Sequence, residues 1–140
     1  MSDAACPCGS PRSYADCCAP IHANRAAADT AEALMRARYS AFVLGLDGFI
    51  DDSWDPATRP AASSRTADAR RWLGMKIRAT EAGGADDDAG VVEFIARYKI
   101  DGRGYRIHQI SRFRRSQRGW QYVDSDVGAK DSSQRKVTAD

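Results

Sequence analysis

The chain has 140 residues, of which 43% are hydrophobic and 29% charged, with a formal net charge of +2. This is the length of one ordinary domain, with enough apolar material for a packed core. The near-balanced charge argues against a general nucleic-acid binder, which shows a strong basic excess or a clear basic stripe. No run approaches the roughly eighteen apolar residues of a membrane span, and residues 1–5 lack the basic and apolar pattern of a secretory leader. A soluble, cytoplasmic protein without membrane association is expected.

All four cysteines lie between positions 6 and 18. Cys6-Pro7-Cys8-Gly9-Ser10 is followed eight residues after Gly9 by the closing Cys17-Cys18 pair. A disulfide framework spreads its cysteines over the fold, whereas a tight cluster in a reducing compartment reads as a metal site. Zinc takes four thiolates in a tetrahedron, so Cys6, Cys8, Cys17 and Cys18 are the expected ligands of one zinc ion. The single residue between Cys6 and Cys8 allows one tight turn to aim both sulfurs at a point, and Gly9 lets the backbone turn. Ser10 and Pro11 suit the cap and first residue of a helical turn that would deliver Cys17 and Cys18. Four thiolates leave the site negative, and Arg12 or Arg25 is placed to offset that charge. The rival readings are disulfides, free thiols, His22 in place of Cys18, or redox activity. Adjacent cysteines would form a strained disulfide, and C-x-C lacks the usual C-x-x-C redox spacing.

A helix is expected from Asp29, capped by Asp29 or Thr30 with Glu32 in its first turn. Ala31, Leu34, Met35, Ala41, Phe42 and Leu46 recur at helical spacing, with Gly45 and Gly48 near the end. A further helical turn runs through Phe49 and Ile50 towards Trp54, until Asp55-Pro56 breaks the pattern. Residues 57–69 read as a loop, or a loop with a short helix leading to Arg71. The period then becomes two, with Leu73, Met75, Ile77 and Ala79 alternating with polar residues. Residues 91–100 make a strong second strand, 105–114 a third and 120–123 a fourth. Helices followed by a four-stranded antiparallel meander give an α+β fold, with helices covering one sheet face.

The central hairpin can be given a register. With Gly102 and Arg103 as its loop, Asp101 faces Gly104. Tyr98 then faces Ile107, Phe94 faces Ser111 and Val92 faces Phe113, on the face turned to the helices. On the other face Arg97 meets His108 and Glu93 meets Arg112, placing opposite charges together in the second pair.

The CPCGS run with a following tyrosine and Cys-Cys resembles the SEC-C motif, which implies zinc binding and contact with partner proteins. The segments LMRARYSAFV at 34–43, VEFIARY at 92–98, SRF at 111–113 and GWQYVDSD at 119–126 resemble the YchJ-like family of small bacterial proteins. That resemblance implies a nuclear transport factor 2-like cone, with helices packed on a curved antiparallel sheet, and no named activity. The resulting division is a zinc-binding motif at 1–25, the α+β domain at 26–126 and a polar tail at 127–140. The cone core is expected to contain no metal ligand.

Cones of this kind enclose a pocket between helix and sheet. Arg38, Tyr98, Gln109, Ser111 and Asp124 are its candidate ligand-binding residues, with Asp124 beside Ser111 if Tyr122 lies opposite Phe113. No catalytic set is named, and the reading leans away from an enzyme. The arginines at 112, 114, 115 and 118, with Trp120 and Tyr122, form a basic turn suited to RNA or the ribosome, although nearby acids reduce its field. The leading reading is a zinc-binding adaptor whose knuckle contacts a protein partner, with nucleic acid disfavoured and a homodimer left open. The alternatives are a small-ligand-binding or enzymatic cone and an RNA- or ribosome-associated protein.

Overall fold

Residues 5–59, 70–117 and 119–127 are described in a computed structural model of the chain. Arg118, residues 60–69 of the expected loop and residues 128–140 of the expected tail lie outside the described residues. Among the described residues three helices, α1 (Ala19–Ala23), α2 (Ala31–Leu44) and α3 (Asp47–Asp52), precede four strands, β1 (Arg71–Ala82), β2 (Ala89–Ile100), β3 (Arg103–Ser116) and β4 (Gly119–Val127). Short 3-10 turns occur at Tyr14–Asp16 and Arg25–Ala27. The strands form one antiparallel sheet in the order β1-β2-β3-β4. The expected α+β architecture is thus the observed one.

Helix α2 begins where its cap is. Thr30 is extended, and its hydroxyl accepts from the Ala33 N–H at 3.0 Å, satisfying one of the free amides of the first turn. Glu32 complements the positive helix end. Gly45 closes the helix in the left-handed region and donates its N–H to Ala41 O, so the helix stops at Leu44, and Leu46 stands at the N-cap of α3. The buried face holds Leu34, Met35 and Ala41 as the periodicity predicts, but it also holds Arg38, Tyr39 and Ser40. The helix is buried on more than one side, because it is packed against both the sheet and the cysteine segment.

The inner sheet face is built from Val92, Phe94, Ala96 and Tyr98 on β2 and Ile107, Ser111 and Phe113 on β3. These are the expected inward residues, but their pairing differs by two positions. Tyr98 faces Tyr105, Phe94 faces Gln109 and Val92 faces Ser111. The turn is made by Asp101 and Gly102, both at positive φ (52° and 80°). That is the Asp-Gly preference of a type I′ turn, whose twist matches the flanking strands. A two-residue shift preserves every face and changes every partner. Glu93 therefore does not meet Arg112: it lies opposite Ile110, while Arg97 lies opposite Arg106.

Bulges reset the outer strands. In β1 the register shifts between Trp72 and Gly74 and again between Ile77 and Ala79. The first bulge turns Leu73 outward, 53% exposed, against the simple alternation, and brings Trp72 inward against Tyr39 and Tyr98. At the other edge β4 is covered. Ser53 O accepts from Tyr122 N–H and Asp55 N–H donates to Tyr122 O, both at 2.8 Å, so residues 53–55 close that edge as a short parallel bridge.

Candidate metal centre

Two backbone ties shape the cysteine loop. Cys6 N–H donates to Arg12 O and Gly9 N–H donates to Cys6 O, each at 3.1 Å. Gly9 has φ of 90°, and a Cβ there would come to 3.1 Å from the Met75 carbonyl of β1, so a side chain would be strained and pressed against the strand. Ser10 does not cap a helix as expected. Its hydroxyl accepts from Arg12 N–H and donates to Cys17 Sγ at 3.2 Å. The 3-10 turn starts at Tyr14 instead, capped by Ser13, and delivers Cys17 and Cys18 from its end.

The four Sγ atoms all lie within 4.8 Å of one another. Cys8 and Cys17 are 3.6 Å apart and Cys17 and Cys18 3.9 Å. Sulfurs bound to one zinc at about 2.3 Å occupy a tetrahedron with edges of about 3.8 Å, so the spacing fits the ion. None of the four is in a disulfide. All are buried, Cys8 and Cys18 completely. The donor set therefore suits a closed site that leaves no coordination position for water or substrate.

The surroundings answer the charge that four thiolates and a dication would carry, about −2. Arg36 Nη1 lies 3.7 Å from Cys8 Sγ and donates to Cys8 O at 3.2 Å, while Glu32 holds its Nε at 3.0 Å. Arg12 reaches Cys17 Sγ at 3.9 Å. Ser40 Oγ lies 3.3 Å from Cys18 Sγ and 3.5 Å from Cys6 Sγ. Arg12 is thus where the charge argument puts it, but Arg25 is not. Arg25 is buried on Asp52 at 3.0 Å and Trp120 O at 2.9 Å. The Cys18 hydrogen bond, with lesser help from the Ser10 backbone and Arg36, holds the Cys8 thiol down at about 4. Cys18 is pushed far up, first because it supplies that bond and then by burial.

His22 is not part of the cluster. Its Nε2 donates to Ala37 O at 2.8 Å, which leaves Nδ1 to accept from Tyr14 OH at 2.7 Å. Burial lowers its pKa, in keeping with this neutral tautomer. The ring also packs edge-on to Phe49 at 4.9 Å. It is a peg joining the cysteine segment to α2 and α3. Sequence reasoning missed Ser40, Arg36 and this role of His22. A signal was present: Arg36 and Ser40 are four apart on one helix face, with Ala33 and Ala37 beside them leaving room for another backbone.

The other candidate residues do not converge. Arg38 is buried and donates to Ile50 O at 3.1 Å and Ser53 Oγ at 2.7 Å, beneath the rings of Tyr122 and Trp54. Tyr98 is buried towards the opposite end of β2, stacked on Tyr105. Gln109 is half-buried on the inner face. Tyr122 does face Phe113, but a bulge between Arg112 and Phe113 moves the next pair on by one residue. Ser125, not Asp124, therefore meets Ser111, at 2.7 Å. Asp124 is exposed on the outer face and bonds Arg112 at 2.6 Å. The basic turn is likewise occupied. Arg112 bonds Asp124 and Asp126, Arg114 bonds Asp55, and Arg115 donates to the carbonyls of Asp87, Gly84 and Ala85.

Residues 30–125 match the family described as YchJ, middle NTF2-like domain, and residues 4–20 match the SEC-C motif. The chain belongs to the YchJ-like family. Its relatives include a UPF0225 protein of Bordetella parapertussis, 45% identical over 90% of this chain and 95% of the relative. A UPF0225 protein of Streptomyces coelicolor is 44% identical over 86% and 94%. A SEC-C motif containing protein from Rhodopseudomonas palustris, solved in solution, superposes with a TM-score of 0.75 at 30% identity, covering 88% of this chain and 98% of that one. A crystal structure of a SEC-C motif containing protein from Psychrobacter arcticus gives 0.68 at 28% identity, covering 89% and 83%. The YchJ-like fold is thus an NTF2-like α+β domain carrying a SEC-C motif. Among the described residues no helix is long and apolar enough to cross a membrane.

Proposed function

We propose that this protein is a non-enzymatic zinc-binding adaptor, in which the metal is structural and the SEC-C knuckle presents a surface to a protein partner. The observation that carries the reading is the buried, charge-compensated four-cysteine cluster. A catalytic zinc keeps one position open, and this donor set supplies four protein ligands and burial instead. When bound, zinc would cross-link the loop and Cys17-Cys18. Ser10, Ser40, Arg12 and Arg36 would orient the sulfurs and balance their charge. Thiolate ligands need a reducing compartment, which supports a cytoplasmic location. The exposed rim of the knuckle, Pro11, Arg12, Ala15 and Asp16, is the face offered to a partner.

The test has two parts. Elemental analysis of protein purified under reducing conditions should find one zinc per chain. Capture from lysate should then be compared between the natural protein and Ala15→Arg, which keeps every ligand. Loss of a specific captured protein with zinc retained supports the adaptor. Absence of metal removes the zinc reading, and unchanged capture removes the knuckle as the contact.

One observation favours a second reading, a small-ligand cone. The buried indole N–H groups of Trp54 and Trp72 have no acceptor among the described residues. A ligand bearing carbonyl or carboxylate oxygens would satisfy them. A thermal-shift screen of small carboxylates, with Trp54→Phe as control, tests this. No shift with any of them removes it.

A further inference from the structure

The inner sheet face beside β4 carries more hydrogen-bond donors than acceptors. Tyr122 OH and Ser111 Oγ each lie 2.7 Å from Ser125 Oγ, forming a chain of three hydroxyls. Three hydroxyls hold three protons, and the chain contains two bonds, so one O–H points out of it. Ser111 is 1% exposed and, among the described residues, bonds Ser125 alone, so its proton is spent inside the chain. The surplus O–H therefore falls to Tyr122 or Ser125, both half-buried. A second donor stands next to them. The Trp54 ring meets Tyr122 edge-on at 5.1 Å, and its buried indole N–H has no acceptor. Arg38 puts a positive charge against both rings, 5.1 Å from the centre of Trp54 and 4.4 Å from that of Tyr122. The carboxylates adjacent in sequence are turned to other partners. Asp55 bonds Arg114, and Asp124 and Asp126 bond Arg112.

We propose that this part of the cone binds a small carboxylate with a flat apolar body, one oxygen taking the Trp54 N–H and the other the surplus O–H of the Tyr122–Ser125–Ser111 chain. The inference rests on the small-ligand reading above and gives that ligand a place, a second donor and a chemical class. An ionised carboxylate only accepts, and its two oxygens match two donors. Its charge strengthens both bonds beyond those a neutral carbonyl would make. A phosphate brings more acceptor oxygens than these two donors satisfy. The rings of Trp54, Tyr122 and Phe113 meet edge to face and supply an apolar wall for the rest of the molecule. Gln109, Tyr122 and Ser125 are half-buried although they belong to the inner face, so the helices leave this end of the cone unsealed. Trp54 is half-buried as a residue, and a small turn of its ring brings the N–H to a ligand seated there. Trp72 belongs elsewhere: it packs with Tyr39 and Tyr98 at the β1 side of the sheet, the edge opposite β4.

The experiment titrates benzoate into the full zinc-loaded, nitrogen-15-labelled chain and follows the indole N–H signals by NMR. The Trp54 signal should shift and saturate. The Trp120 signal should stay in place, because its N–H already donates to Asp29 O. W54F and the double variant Y122F/S125A, read on the backbone amides of β4, should each weaken benzoate roughly tenfold or more. The melting temperature of W54F without ligand should stay level or rise, since an unpaired buried donor is removed. W72F should bind as the natural protein does. The proposal is overturned if benzoate leaves the Trp54 signal unmoved, if either variant binds undiminished, or if benzyl alcohol or inorganic phosphate binds as tightly. A shift of Trp72 alone overturns this site while the small-ligand reading stands. No response of either indole to any small carboxylate removes both.

Discussion

Arg36 shows how one side chain joins the helix to the knuckle. Its guanidinium is held by Glu32 one turn earlier and reaches both the carbonyl and the sulfur of Cys8. Replacing it with Ala removes a cation from beside a dianionic site. Zinc affinity should fall about 10–100-fold, the usual cost of losing an outer partner, as read by competition with a chromogenic chelator. Unchanged affinity would show that Arg36 only packs. His22 makes a prediction about pH. Its pKa is lowered in the fold, so the unfolded chain takes up the proton first as pH falls. The stability it contributes is complete above its unfolded value of about 6.5 and is lost as pH falls from there through the lowered folded pKa. At saturating zinc, the stability of His22→Gln should therefore vary less with pH below about 6.5 than that of the natural protein. Parallel stability curves for the two proteins would exclude His22 as the source.

At the scale of elements, the hairpin register has a direct test. Phe94 is a buried inner-face residue, and Phe94→Ala should cost about 3–5 kcal/mol in denaturant unfolding. Glu93→Ala on the outer face should cost about 0.2–1 kcal/mol. The pairing now assigns Glu93 to His108 rather than to Arg112. A double-mutant cycle between Glu93 and His108 should show coupling, and one between Glu93 and Arg112 should be additive within about 0.5 kcal/mol. Coupling to Arg112 alone would restore the register expected from the sequence. Period-two alternation sorts residues by face but is blind to shifts of two, which leave every face unchanged. The local Asp-Gly signal decided the turn. Reading Gly102 as the first loop residue missed it, because Asp101 also enters the left-handed region, which aspartate tolerates.

At the scale of the whole molecule, knuckle and cone share one core. The buried cluster that contains Leu34, Val92, Phe113 and Trp120 also contains Cys6, Cys8, Cys17 and Cys18. The cysteines therefore belong to the core that was expected to contain no metal ligand, which predicts that metal removal reaches the sheet as well. Chelation should lower the melting temperature of the entire domain in a single transition, and amide signals of β2 and β3 should shift with those of the knuckle. Strand signals that stay in place while the knuckle loses order would show two independent units.

What the sequence by itself determined is what depends on near neighbours. Four cysteines within thirteen residues announce a thiolate site, Thr30 and Gly45 bound a helix, and alternation from 91 onward separates inner from outer residues. The SEC-C and YchJ-like segments carried the fold class as well. Tertiary structure alone decided which distant groups meet. Ser40 and Arg36 reach the sulfurs because α2 packs on the cysteine loop, and a single bulge exchanges Asp124 for Ser125 beside Ser111. The reason is physical. Spacing along a chain sets the direction of a side chain relative to its own element. Its partner depends on register, bulges and the approach of another element, and those are settled by packing the whole core at once.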